Sequence, residues 1–171
     1  AKRVATVATP SLTSWGIIKV HAYQGGVYSL AFSPDGQSIL ACGIGQMRDP
    51  NSGNGRQTWQ RFAWRKQGAP KIGEIRDGDA GGGHPESIAY HPGGKFFVMA
   101  GRLAQGKWNT GVFDDAGGAL VHSLDTKGRL TKVLFNADGS RLYLGGGNGQ
   151  PKAKDGNYPD FGRITVCDVT T

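Results

Sequence analysis

Three stretches of this chain repeat one pattern, and that repetition limits its possible folds more than any other feature. In each, an apolar run ends in an aromatic residue (Phe32, Tyr90 or Phe135). A glycine follows four positions later (Gly36, Gly94 or Gly139), preceded by Asp35, Gly93 or Asp138. A second apolar run then closes on small residues, so that the units span 27–43, 86–101 and 131–146. The glycine supplies the positive φ of a tight hairpin, and Asp tolerates similar geometry beside it. Each unit therefore reads as strand, turn, strand. The 29 glycines in 171 residues, against a usual share of roughly 7%, fit a turn-rich, all-β chain.

The turn glycines lie 58 and 45 residues apart. A period near 45 is that of a four-stranded propeller blade, and 58 is the same unit with a lengthened loop. Two further strands are expected after each hairpin. Residues 57–64 and 71–75 follow the first, and 108–114 and 119–124 follow the second. Residues 163–169 follow the third, after which no further strand is legible.

On these residues the chain resembles the WD40-repeat β-propellers. The Ser33-Pro34-Asp35-Gly36 turn is intact, and a Gly-His pair stands at Gly83-His84. The family's Trp-Asp dipeptide survives only as Phe113-Asp114 and Cys167-Asp168, with Trp64-Arg65 in the first unit. The hydrogen-bonding tetrad of Asp, His, Ser/Thr and Trp is complete in no blade. This divergence looks more like bacterial propeller segments than regular eukaryotic scaffolds. The resemblance implies four-stranded antiparallel blades over 27–83 and 84–129, and one over 130–171 without its outermost strand. Residues 1–26 would then be outer strands of a preceding or closing blade, with 16–23 the outermost and 2–9 the strand before it. Three blades subtend too small an arc to close. The expectation is a fragment of a longer propeller, or a homodimer that completes a ring.

Propellers recognise partners through loops, and two loops here are long: 45–56 and 147–162. Both belong on one rim with 76–83 and 125–129. The candidate binding residues are Arg48, Asp49, Asn51, Asn54, Arg56, Arg102, Lys152, Lys154, Asp155, Asn157 and Tyr158. A protein or peptide partner is the expectation, with the propeller a non-catalytic interaction scaffold. Asp49, Asn51, Asp155 and Asp160 are oxygen donors of the kind calcium takes. The EF-hand pattern fails, however, since Gly53 stands at a ligand position and no Glu closes the loop. Turn chemistry accounts for the same residues.

Arg48, Arg56, Arg102, Lys107, Lys152 and Lys154 make the rim basic in a chain of net charge +7, and Tyr158, Trp108 and Phe161 lie near it in sequence. Single-stranded nucleic acid is conceivable on such a surface, but Trp59, Trp64 and Trp108 fall in strand patterns where packing is the ordinary role. A metal-binding or channel-site enzyme is the other alternative. His21, His84, His91 and His122 are scattered, no nucleophile has a neighbouring base, and 145–149 lacks the lysine of a phosphate loop. No cofactor is implied. Cys42 and Cys167 lack CxxC spacing and sit in apolar runs, which suggests free thiols. No apolar run approaches the roughly 20 residues of a spanning helix, and residues 1–4 show no apolar leader.

Overall fold

The computed structural model describes residues 2–12, 14–17, 22–45, 56–76, 84–102, 107–126, 128–147 and 162–169. Twelve strands are found among them: β1 (Ser14–Ile17), β2 (Ala22–Phe32), β3 (Ile39–Gly45), β4 (Arg56–Phe62), β5 (Lys71–Arg76), β6 (His84–Tyr90), β7 (Phe96–Arg102), β8 (Thr110–Asp114), β9 (Leu120–Leu124), β10 (Arg129–Phe135), β11 (Arg141–Gly147) and β12 (Gly162–Asp168). All pairings are antiparallel, and within the three units they join sequence neighbours. β2 to β5 form blade 1, β6 to β9 form blade 2, and β10 to β12 form a three-stranded blade 3.

Local chemistry explains why each hairpin closes where it does. Gly36, Gly94 and Gly139 have φ of +67°, +74° and +78°, as a tight turn requires. The residue after the aromatic supplies a side-chain acceptor to the turn. Ser33 Oγ accepts the Ser38 amide at 2.9 Å, His91 Nδ1 accepts the Gly93 amide at 3.0 Å, and Asn136 Oδ1 accepts the Arg141 amide at 2.8 Å. Three different residue types thus perform one task. A second repeat is invisible in composition: each innermost strand is bulged four residues before its aromatic, at Tyr28, Glu86 and Thr131. Opposite two of these bulges a side chain has no room. A Cβ on Gly43 would lie 1.9 Å from the Gly26 carbonyl oxygen, and one on Gly146 would lie 2.0 Å from that of Arg129.

The units stack face to face, with β6 beside β2 on one side and beside β10 on the other. Alternation along each strand sends one set of side chains to the preceding blade and the other set to the next. Between blades 1 and 2 lie Leu40, Cys42 and Trp59 against Ile88, Phe97, Met99 and Phe113. Trp59 meets Phe97 edge-on at 5.0 Å, and Phe97 stacks on Phe113 at 5.4 Å. Such aromatic pairs contribute about 0.5–1.5 kcal/mol each beyond their buried area. Between blades 2 and 3 lie Val98 and Ala100 against Leu130, Val133, Leu142 and Leu144. This is a propeller arrangement, and its ring is open: the outward faces of blades 1 and 3 are covered by no other blade among the described residues.

One hydroxyl recurs at these interfaces. Ser29 Oγ accepts the Ile88 amide at 3.3 Å, and Ser87 Oγ accepts the Val133 amide at 3.0 Å. The serine stands three residues before the aromatic, and the amide stands two before the aromatic of the next blade. The equivalent position in blade 3 is Lys132, which is exposed.

The N-terminal region departs from the sequence-based expectation. Residues 16–23 do not form one outer strand. Ser14–Ile17 instead pairs with Ala22–Gly25, as a ribbon on the inner edge of β2. Apolar alternation continues through both arms, so the reversal left no trace in the pattern. Residues 2–9 form no strand at all. They lead to a turn in which the Leu12 amide donates to the Thr9 carbonyl at 3.0 Å. Leu12 then packs on Ala41 and Phe62, with Val7 alongside. Burying one leucine stabilises by about 2 kcal/mol, enough to hold this strap on the outward face of blade 1. Trp64 also leaves its expected strand. It sits in the turn after β4, donates Nε1–H to the Gly36 carbonyl at 3.1 Å, and meets Phe32 edge-on at 5.8 Å.

Candidate interaction surfaces

Strand register gives the molecule two distinct ends. Gly45 faces Arg56, Arg102 faces His84, and Gly147 faces both Arg129 and Gly162. The three connections between second and third strands therefore leave from one end, and the three hairpin turns lie at the other. At the loop end a single bridge, Arg129 to Arg102, joins blade 3 to blade 2. An Arg129–Glu86 ion pair at 2.8 Å supports it. Asn109, almost fully buried, fixes the crossover from β9 to β10: its Nδ2 donates to the carbonyls of Thr126 and Gly128 at 3.1 and 3.2 Å, and its Oδ1 accepts the Thr126 amide at 3.0 Å. Sequence reasoning passed over this residue, because it fell inside the expected strand 108–114 as one polar position among others.

Of the candidate binding residues, Arg56 opens β4 and Arg102 ends β7, so their backbones stand at the loop end. Arg48, Asp49, Asn51, Asn54, Lys152, Lys154, Asp155, Asn157, Tyr158 and Asp160 lie outside the described residues. Lys107 is exposed at the same end, before β8. No group of three or more His, Cys, Asp or Glu able to hold a metal ion occurs among the described residues.

Several residues of types that carry chemistry elsewhere are occupied here in packing. Cys42 is buried in the interface of blades 1 and 2, and burial pushes its thiol up to about 12. Burial likewise raises the Tyr90 phenol to about 12, opposed by Ser38 and then by Arg61. His91 stacks on Phe96 at 4.4 Å and meets Phe135 of blade 3 edge-on at 5.2 Å. Its ring fills the space above Gly139, where a Cβ would come within 2.1 Å of Nε2. Arg61 pairs with Asp115 of the next blade at 2.6 Å. At the turn end, Asp35 and Asp138 are held below the usual carboxylate range. Hydrogen bonds from Ser33 and the Gln37 amide lower the first, and those from Ser140 lower the second.

Apolar surface remains on both outward faces. Leu30 and Phe32 of blade 1 are 61% and 58% exposed; on blade 3, Ile164 is 73% exposed and Leu134 and Val166 are at least half exposed. Clustered apolar exposure marks interaction sites more often than scattered exposure does. No helix among the described residues is long and apolar enough to cross a membrane.

Comparison with known proteins agrees with this architecture. The family model described as "WD domain, G-beta repeat" matches residues 13–47, which covers β1 to β3. No curated protein sequence matches the chain at a significant level. Among solved structures, the chain is similar to Kuenenia stuttgartiensis hydrazine synthase, with TM-score 0.58 and 18% identity over 91% of this chain and 39% of that one. It is similar to the β-propeller domain of Myceliophteria thermophila Cps50 (Swd1), with TM-score 0.55 and 14% identity over 88% and 43%. It is also similar to TolB from Acinetobacter baumannii, with TM-score 0.52 and 18% identity over 96% and 37%. The chain thus spans less than half the length of each. At these identities the likeness is one of fold, and it extends to a synthase as well as to a β-propeller domain.

Proposed function

We propose that this chain, a partial WD40-like propeller whose ring is unclosed, serves as a protein-interaction module and not as a reaction centre. The observation that carries this reading is the division of labour in its side chains. Cys42, Tyr90 and His91 are spent between blades, while Leu30, Phe32, Leu134, Ile164 and Val166 stand in solvent. A fold that commits these three groups to packing and leaves apolar sheet faces bare is suited to binding another polypeptide. The basic loop residues Arg48, Arg56, Lys152 and Lys154 would contribute to a second contact, on the loop end, with an acidic protein surface.

The test is affinity capture from the native source with the full chain and with a variant carrying glutamate at those four positions. The expected result is a partner retained by the unmodified chain and weakened by the variant. Equal recovery by both would remove the loop residues from the interface. Turnover of a small molecule by the purified chain, without a retained protein, would overturn the module reading itself.

A further inference from the structure

Arg65 is held more firmly than an exposed arginine needs to be. Its Nε donates to the Gly36 carbonyl at 3.1 Å, and its guanidinium lies over the Trp64 ring at 4.4 Å. Trp64 is itself fixed, by its Nε1–H on the same carbonyl and by the edge of Phe32. The turn that carries both is closed by the Lys66 amide on the Ala63 carbonyl at 3.0 Å. One hydrogen bond and one ring face thus set the plane of the guanidinium, and Nη1 and Nη2 are left as a fork. Among the described residues neither Arg65 nor Lys66 forms an ion pair.

Both residues line a cleft of about 480 Å³ at the turn end of the seam between blades 1 and 2, within the roughly 300–1,000 Å³ range of binding pockets. The Arg61–Asp115 ion pair crosses the seam and also lines the cleft, with Arg61 donating to the Asp115 carbonyl as well at 2.8 Å. Asp35 stands at the cleft with its carboxylate accepting from the Ser33 hydroxyl and the Gln37 amide. Pro34, Ala63 and Ile72 supply apolar surface.

Charge decides what such a cleft prefers. Arg61, Arg65 and Lys66 face Asp35 and Asp115, which leaves one positive charge, carried by the two cations that have no acidic partner. A monoanion balances it. A phosphate group, with a charge of about −1.5 to −2 near neutral pH, would overshoot and be set against Asp35. An arginine fork matches the two oxygens of a carboxylate, and its ordering cost is already met when the side chain is held in advance.

We infer that this cleft binds a carboxylate: its two oxygens accept from Arg65 Nη1 and Nη2, Lys66 adds a point charge, and the stem that carries the acid rests on Pro34, Ala63 and Ile72. A small organic acid and an acidic side chain of a polypeptide present the same group. The site lies at the opposite end of the blades from the basic loops and does not depend on them, so its failure leaves the interaction-module reading intact.

Titration of the full chain with N-acetylglutamate amide tests this, with N-acetylglutamine amide as the neutral isostere. The Trp64 indole N–H and the Gly94 amide report binding by NMR. The expected result is a saturable shift with Kd on the order of millimolar, absent with the isostere and weakened by salt. Arg65→Gln should weaken binding about tenfold or more, and Arg65→Lys, which keeps the charge and loses the fork, by less. Lys66→Gln should weaken it about threefold, as expected for an exposed charge. A pentapeptide with one central glutamate separates the two sources: binding as tight as that of the single residue supports a polypeptide acid, and exclusion supports a free one. Equal shifts with acid and isostere overturn the inference. So does affinity unchanged in both Arg65→Gln and Lys66→Gln, or tighter binding of inorganic phosphate than of the acid. Circular dichroism confirms folding, and Lys66→Gln, at an exposed position, decides the matter alone if Arg65→Gln does not fold.

Discussion

The outward faces of blade 1 and blade 3 are built from equivalent strands yet are finished differently. On blade 1 the chain itself covers part of the sheet, because Leu12 seats on Ala41 and Phe62. Leu30 and Phe32, nearer the inner edge, stay bare. On blade 3 neither a strap nor a fourth strand is found among the described residues, and Ile164, Val166 and Leu134 are exposed. The serine that links each blade to its successor is a lysine there, Lys132. The difference teaches that a blade face is not intrinsically an interior. Alternating strands produce an apolar face in any case, and what lies against it decides whether it becomes core or contact surface.

The largest expected effect would break the contrast by uncovering blade 1. Leu12→Ala should cost about 2 kcal/mol or more in urea denaturation, whereas Ile164→Ala should change stability by no more than about 0.5 kcal/mol. Equal losses would mean that the blade 3 face is also covered. Next come the inter-blade hydroxyls. Ser87→Ala strands the buried Val133 amide and should cost about 1–3 kcal/mol. Ser29→Ala, with a longer and less buried bond, should cost less. Lys132→Ser, facing no further blade, should be neutral by the same denaturation measurement.

The smallest effect compares the hairpin turns. Asp35 and Asp138 have folded-state pKa values below their unfolded values. Their contribution is therefore present above the unfolded value and is lost as pH falls through the folded one. The amides of Gln37 and Ser140, which donate to these carboxylates at 2.9 and 2.8 Å, should shift in NMR titration below about pH 4. The Gly93 amide, bonded to His91 Nδ1, should not follow that carboxylate titration. A common acid transition at all three turns would show that the carboxylates are not the cause.

Much of this was legible in the sequence because hairpin chemistry is local. Gly36, Gly94 and Gly139 declare their turns, and the apolar runs around them declare the strands. The serine link was present in the same alignment, as Ser29, Ser87 and Lys132, but a short polar residue in a strand reads as solvent-facing until the neighbouring blade is in place. Residues 2–23 misled for the opposite reason: alternating apolar residues signal a strand without saying which sheet accepts it. Leu12 found a face and residues 2–9 found no ladder. The candidate loop residues were chosen from composition, and of these the structure describes only the backbones of Arg56 and Arg102.

The central claim, that the three units stack in chain order as blades, is open to nuclear Overhauser measurement on the full chain. Cross-peaks should link the Trp59 indole to the rings of Phe97 and Phe113, and His91 to Phe135, with none between Cys42 or Trp59 and Leu142 or Leu144. Cross-peaks directly between the first and third units, with those to the second missing, would describe a single folded-over sandwich and contradict the account.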